Sequence, residues 1–284
     1  MFMLLKTYYP SPGFPPISIS GDKCTLKCRH CSSVYLKNMI PSETPEKLTK
    51  VCRKLDENNA VGILLSGGYN KDGKLLNLER MLPAVKKIKK ETKLIINIHP
   101  GLLSKNTADA LLVDFASAEI PSNWVIKNVF RLNKTTNDYL ETYYNLKNAG
   151  IDIVPHVCVY SGDEYKLLKN IEKPSAIVVI VFTPTKNTPM QNESAPEAKM
   201  IGNVIRNLKK MFPETEISLG CMRPRNRFVR AEIEIEALKS GASRMELPSK
   251  KTINYAKEKG YEIKRLGACC ALPERFERLV LSSR

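Results

Sequence analysis

Three cysteines stand close together early in the chain, in Cys24-Thr25-Leu26-Lys27-Cys28-Arg29-His30-Cys31. This spacing lets one short loop present three thiolates, enough to ligate three irons of a [4Fe-4S] cluster. The fourth iron then has no protein ligand, and an open metal position is where chemistry can take place. A structural zinc held by the three thiolates and His30 is the competing reading. Such sites usually draw on two paired ligand sets, and here one loop would have to supply everything. A second set, Cys221, Cys269 and Cys270, lies in loop-like surroundings, Gly220-Cys221-Met222-Arg223-Pro224 and Gly267-Ala268-Cys269-Cys270. Adjacent cysteines are awkward disulfide partners for each other, yet both thiolates can reach a cluster. This set reads as ligands of a second, auxiliary iron–sulfur cluster, with buried or spare thiols as the alternative. Cys52 shares a helical face with Leu48, Val51 and Leu55, and Cys158 lies on a strand; both read as core thiols.

The elements that must position these residues alternate regularly. Ile17-Ser18-Ile19-Ser20 is strand-like and turns at Gly21-Asp22 into the cysteine loop. Thr44-Pro45 starts a helix, with Thr as N-cap and Pro at the first helical position. The continuous apolar run Val61–Leu65 suits a parallel strand buried on both faces, and Ser66-Gly67-Gly68 follows it. Leu78 to Glu91 reads as a basic amphipathic helix. Further strands are expected at Leu94–Ile98, Leu111–Phe115, Ile151–Val159, Ala176–Phe182, Glu216–Leu219, Arg244–Leu247 and Tyr261–Arg265, with helices over 136–148, 196–211, 231–238 and from Ser249 through Lys259. Pro155 sits inside the strand at 151–159, where a bulge or irregular pairing is expected. About eight strand–helix units imply a parallel sheet with outer helices, and eight closes a (β/α)8 TIM-type barrel, full or nearly full. Residues 1–16 read as an N-terminal arm rich in Pro and Tyr, and residues 17–284 as one barrel domain with a C-terminal extension. In such a barrel, strand C-termini carry the site. The Cys24 loop, Ser66-Gly67-Gly68, His99, Thr183, Cys221 and Cys269-Cys270 all fall there, and are expected to converge on one mouth.

Lys plus Arg number 45 against 29 Asp plus Glu, a formal net charge of +16. Such a surface favours acidic partners, whether an acidic protein, nucleic acid or anionic lipid. The chain contains no run of 18 apolar residues, so no membrane span is expected. Residues 1–16 lack the apolar stretch and cleavage site of a signal peptide. Eight cysteines without an export signal argue for metal binding in a reducing, cytoplasmic setting and against disulfides. A tail of about eleven residues after Pro273 is too short to be an RNA-binding domain.

The cysteine loop, with Gly67-Gly68 after the second strand, resembles the signature of radical S-adenosylmethionine (SAM) enzymes. Further stretches extend the likeness over most of the chain: Phe14 to Gly21, Asn97-Ile98-His99-Pro100-Gly101-Leu102, Pro155-His156-Val157, Phe182-Thr183-Pro184-Thr185, Leu219 to Arg225, and Cys269-Cys270. They resemble the biotin-synthase-like branch, and most of all the paired archaeal-type lipoyl synthases, in which two homologous proteins act together. The resemblance implies that Cys24, Cys28 and Cys31 hold the SAM-binding cluster. Ser66, Gly67 and Gly68 would meet the SAM amino group, and His30 would lie near the adenine. His99 and Thr183 would serve the same cofactor. It implies reductive cleavage of SAM to a 5′-deoxyadenosyl radical, hydrogen abstraction from a protein-bound octanoyl chain, and sulfur donation by the auxiliary [4Fe-4S] cluster. The implied partners are an octanoylated lipoyl carrier, a homologous second radical SAM protein and an electron donor such as ferredoxin, with neither membrane nor nucleic acid. The runner-up expectation is another enzyme of this branch, a small-molecule sulfur inserter or a mutase. An RNA-modifying radical SAM enzyme and a non-enzymatic iron–sulfur or zinc protein stand further back.

Overall fold

The computed structural model describes residues 3–280. Backbone contacts divide them into two compact units, one of residues 11–153 and one of residues 3–10 with 154–280. Both are parallel α/β sheets with helices between the strands, the class expected from the sequence.

The unit of residues 11–153 carries β2 (Pro16–Ser18), β3 (Ile40–Pro41), β4 (Gly62–Ser66), β5 (Ile95–Ile98) and β6 (Phe115–Glu119), in the spatial order β3-β2-β4-β5-β6. Its register is parallel throughout, with Ile17 opposite Leu65 and Ile98 opposite Ala116. Its helices are α1 (Pro45–Glu57), α2 (Leu78–Glu91), α3 (Lys105–Asp109), α4 (Asn123–Val125) and α5 (Thr136–Asn148). The Thr44 side chain accepts from Lys47 N, with Pro45 inside the first turn, and Gly150 ends α5 in the left-handed region at φ +76°. Leu48 and Cys52 are fully buried on α1, so Cys52 is a core thiol, its pKa pushed up to about 12 by burial.

The other unit carries β1 (Met3–Tyr8), β7 (Asp152–Val159), β8 (Ala176–Val181), β9 (Glu216–Leu219), β10 (Arg244–Glu246) and β11 (Tyr261–Leu266), ordered β11-β1-β10-β9-β8-β7. The division between the units falls between Ile153 and Val154, inside β7. Helices α6 (Ala198–Met211), α7 (Arg227–Lys239) and α8 (Lys250–Glu258) complete it. The apolar run Ala176–Val181 is buried along nearly its whole length, as a parallel strand covered on both faces must be.

Two stretches differ from the expectation. Met3–Tyr8, read as part of an arm, is a strand seated between β10 and β11, with Lys6 opposite both Arg244 and Lys264. Lys6 is buried, and its ammonium lies 2.7 Å from Glu216 and 2.8 Å from Glu277. The fourth expected strand is displaced. Leu111–Val113 are irregular, and Asp114 accepts from Ile96 N before β6 begins at Phe115. Small residues, Ala116-Ser117-Ala118, weaken the apolar signal there, and Ser117 and Asn97 bond side chain to side chain across β5 and β6 at 3.0 Å. At Pro155 the strand β7 is continuous, while its pairing with β8 starts only at His156, directly after the proline.

Candidate functional site

The cysteine loop hangs from the C-terminal end of β2 and is shaped by backbone bonds. Gly21 turns the chain at φ +62° while Ser18 Oγ donates to its carbonyl at 2.6 Å. Thr25 N and Leu26 N both donate to Tyr69 O at 2.9 Å, and Tyr69 N donates to Cys24 Sγ at 3.3 Å. Cys31 N and Ser32 N close a turn on Cys28 O, at 3.1 and 2.8 Å. Cys24 and Cys31 are half-buried and Cys28 is buried. Cys28 and Cys31 share a hydrogen bond that holds the Cys28 thiol up and pulls Cys31 down, making Cys31 the readier thiolate of the pair.

Ser66, Gly67 and Gly68 leave the end of β4 directly against this loop. A Cβ on Gly68 would fall 2.1 Å from Lys23 O and 2.5 Å from Cys24 Cβ, so no larger residue fits between strand end and thiol. Gly68 N donates to Ser20 Oγ at 2.7 Å and its carbonyl accepts from Leu76 N at 2.9 Å. The glycine pair therefore has a packing role of its own beside any ligand contact.

His30 packs against Phe130, ring centroids 5.9 Å apart. Burial lowers its pKa to about 4, which leaves it neutral, and its Nδ1 is shut from solvent with no partner. Phe130 belongs to a π-helical turn, Ile126–Phe130, whose Val129 carbonyl accepts from Arg29 N at 2.9 Å. His99 follows β5 and its carbonyl accepts from the Tyr69 hydroxyl at 3.3 Å.

Glu119, the last residue of β6, is a site residue that sequence reading missed. It is exposed, yet the protein atoms crowded around its carboxyl raise its pKa to about 7. Its charge is felt by Cys28, Cys31, Tyr69 and Tyr139. No sequence signal marks it, because a glutamate ending a strand reads as a solvated side chain. A cleft of about 440 Å³ in the same unit, bordered by Asn70, Arg80, Leu103 and Thr107, includes none of the cysteines.

The donor set fits an iron–sulfur cluster: three thiols on one loop, with Cys31 pulled down by its bond to Cys28. The orphaned Nδ1 of His30 and the accessible Glu119 carboxylate are polar groups of the kind a bound nucleoside-like molecule would satisfy.

The second set lies at strand ends of the other unit. Cys221 follows β9 and Cys269-Cys270 follow β11, while Glu246 ends β10 between them in the chain. Cys221 presents surface yet sits in a recess: burial first, then the charges of Glu246 and Cys269, push its thiol up. The Cys270 thiol is held up by its hydrogen bond to Cys269, then by burial. Arg223, two residues after Cys221, is buried. Its guanidinium donates to Glu234, to the carbonyl of Gly220 beside Cys221, and to the carbonyls of Glu246 and Leu247. Glu234 also accepts from Arg230, Ser249 N and Thr252 Oγ1. Burial raises the Glu234 pKa, but these partners outweigh it and keep the carboxylate below its usual range. Cys158 is half-buried on β7, and Thr183 follows β8 with its hydroxyl donating to Val181 O at 3.0 Å. The structure thus sets the loop of Cys24 against Gly68 and Tyr69, and brings Cys269 and Cys270 together with Glu246, a group that does not include Cys221.

No protein-family model matches the chain, and no curated protein matches it in sequence. Solved structures share its fold. Methylornithine synthase (PylB) aligns over 86% of this chain and 72% of its own, at 17% identity and a TM-score of 0.58. HydG, a maturase of the [FeFe]-hydrogenase, aligns over 97% of this chain and 66% of its own, at 13% identity and a TM-score of 0.61. HydG from Carboxydothermus hydrogenoformans aligns over 96% and 70%, at 17% identity and a TM-score of 0.59. The chain therefore spans about two thirds of the length of these proteins. No helix among the described residues is long and apolar enough to cross a membrane.

Proposed function

We propose that this chain is a radical SAM enzyme that inserts sulfur into a protein-bound octanoyl chain, a lipoyl synthase subunit working with a homologous partner. The observation that carries the reading is the fit of Gly68 against Cys24 at the ends of β2 and β4, which puts three thiols and a glycine turn on one edge. When bound, the first cluster with SAM supplies a hydrogen-abstracting radical, and a second cluster supplies the sulfide that takes the place of the abstracted hydrogen.

The residues of this chain have definite tasks in that scheme. Cys24, Cys28 and Cys31 hold three irons, and the loop bonds to Tyr69 and Val129 keep the thiols in register. His30, neutral and leaning on Phe130, offers an apolar ring face and one free nitrogen to a purine. Glu119 accepts hydrogen bonds from ligand hydroxyl or ammonium groups. Cys221, Cys269 and Cys270 hold the sulfur donor. The +16 charge draws an acidic lipoyl carrier, and the exposed end of α7 offers Arg225, Arg227 and Phe228 as a surface for it. An electron donor such as ferredoxin supplies the reducing equivalent.

The test is mass spectrometry of an octanoylated carrier peptide incubated with the reconstituted protein, its partner, SAM and reductant. Thiolated peptide together with 5′-deoxyadenosine is the expected result. Release of 5′-deoxyadenosine without thiolation points to the second reading, an enzyme acting on a small molecule, which the fold likeness to methylornithine synthase favours. With no 5′-deoxyadenosine formed, both readings fall.

A further inference from the structure

We propose that Glu246 is the fourth protein ligand of the second cysteine set, so that the cluster there is held by three thiolates and one carboxylate. The proposal rests on the reading of Cys221, Cys269 and Cys270 as cluster ligands, and adds to it a residue that neither motif nor spacing singles out.

A Glu246 carboxylate oxygen and the sulfurs of Cys269 and Cys270 lie within 4.8 Å of one another, a group of metal-ligating side chains converging on one point. Glu246 is 6% exposed and Cys270 2%. The carboxylate hydrogen-bonds the Cys270 thiol, and Cys221 feels the charge of both Glu246 and Cys269. Cys221 stands outside this group of three, but it leaves β9 beside the end of β10, where Met245 stands opposite Leu219. The nearest cation does not bind the carboxylate itself. Arg223 directs its N–H groups at Glu234 and at the carbonyls of Gly220, Glu246 and Leu247. By gripping the carbonyl before Cys221 and the carbonyl of Glu246, it holds two ligand-bearing residues at one spacing, while the carboxylate itself is turned to Cys270.

A carboxylate is a harder ligand than thiolate and less suited to iron in a cluster. The iron it holds is the one released first, which suits a cluster that must open to give up sulfide.

The experiment uses the full chain with Cys24→Ala, Cys28→Ala and Cys31→Ala, so that only the second set reports, reconstituted anaerobically with ferrous iron and sulfide. This background should bind about four irons and as many sulfides. Adding Glu246→Gln should speed iron loss to a chelator by more than about ten-fold, since even outer partners of metal ligands are worth that much. Mild oxidation should then yield the paramagnetic signature of a three-iron cluster. Glu246→Cys should restore slow loss and four irons. A background that binds no iron, or one iron without sulfide, overturns the cluster reading itself. A background that holds its cluster while Glu246→Gln matches it in iron loss and spectrum leaves that reading standing and overturns the role of Glu246. Should circular dichroism show Glu246→Gln unfolded, Glu246→Cys decides. Four irons retained in that folded variant support the assignment, and failure to hold them refutes it.

Discussion

Cys24, Cys28 and Cys31 come from one loop whose shape is set by backbone hydrogen bonds and by a glycine pressed against a thiol. Cys221, Cys269 and Cys270 arrive from the ends of two strands far apart in the chain. Their surroundings are charged: Glu246 beside the sulfurs, and the buried Arg223–Glu234 pair beneath them, side chains 2% and 0% exposed. The nearest carboxylates differ as well. Glu119, by the first set, is open to solvent, whereas Glu246, by the second, is buried. A ligand set made locally can be shaped by peptide groups alone. One assembled from distant strands needs long side chains to hold the pieces at fixed distance, and arginine, with five donors in a rigid fork, suits that task. The first set thus has the build of a site with an open position, and the second that of a closed one.

The largest effect expected on this contrast comes from deleting each set in turn. Cys24→Ala with Cys28→Ala and Cys31→Ala should abolish SAM cleavage, read as 5′-deoxyadenosine, and remove about four irons of about eight. Cys221→Ala with Cys269→Ala and Cys270→Ala should remove a similar number and spare SAM cleavage while thiolated product vanishes. Iron content unchanged in the second variant would dissolve the contrast.

Next in size is the clamp. Arg223→Met leaves Glu234 with one fewer cation in a buried place, a loss of about 3–5 kcal/mol by analogy with other broken buried pairs. Denaturant unfolding checks it. The first set is shaped by backbone bonds and does not touch Arg223, so iron at Cys24, Cys28 and Cys31 should outlast iron at the second set in this variant.

Acid should separate the two units. Burial raises the Glu277 pKa, but hydrogen bonds from Lys6, Lys264 and Arg244 outweigh it and bring it from 4.5 to about 2. A carboxylate with a depressed pKa contributes its stability above the unfolded value and loses it as pH falls through the folded one. Unfolding between about pH 4.5 and 2 should therefore lose about 3 kcal/mol from this group. Glu277→Gln should remove that part of the acid sensitivity. Hydrogen exchange along β1, β10 and β11 reads it locally, and protection there that is flat with pH would contradict the account.

The smallest effect is opposite in sign. Glu119 has a raised pKa, near 7, so its contribution in the metal-free protein is present below about 4.5 and lost as pH rises through 7. Melting temperatures of Glu119→Gln and wild type should converge at pH 4 and separate by pH 8, the variant being the more stable. Identical curves would mean that solvent reaches the carboxylate freely.

What could be read from the residues in order was what depends on near neighbours. Apolar runs such as Val61–Leu65 and Ala176–Phe182 marked strands, Thr44-Pro45 and Ser249 marked helix starts, and the spacing of Cys24, Cys28 and Cys31 marked one thiol loop. Even the glycine pair was legible, because it stands directly after a strand, although the contact that demands Gly68 was not. Met3–Tyr8 shows where such reading stops. It was read as part of an arm, and only β10, β11 and Glu277 supply the partners that make it a strand and make burial of its ammonium tolerable. The short strand Phe115–Glu119 was displaced in the reading because Ala and Ser carry little apolar signal, and with it went Glu119. Glu246 and Arg223 were invisible as members of a site for a related reason. A charged residue in a sequence is indistinguishable from a solvated one until the fold removes the water around it. Chain order therefore determined the alternation of elements and the local thiol loop. Only the tertiary structure decided which charges were buried, which carboxylate met Cys269 and Cys270, and which arginine grips the carbonyls of Gly220 and Glu246, because burial and opposite charge come from residues distant in sequence.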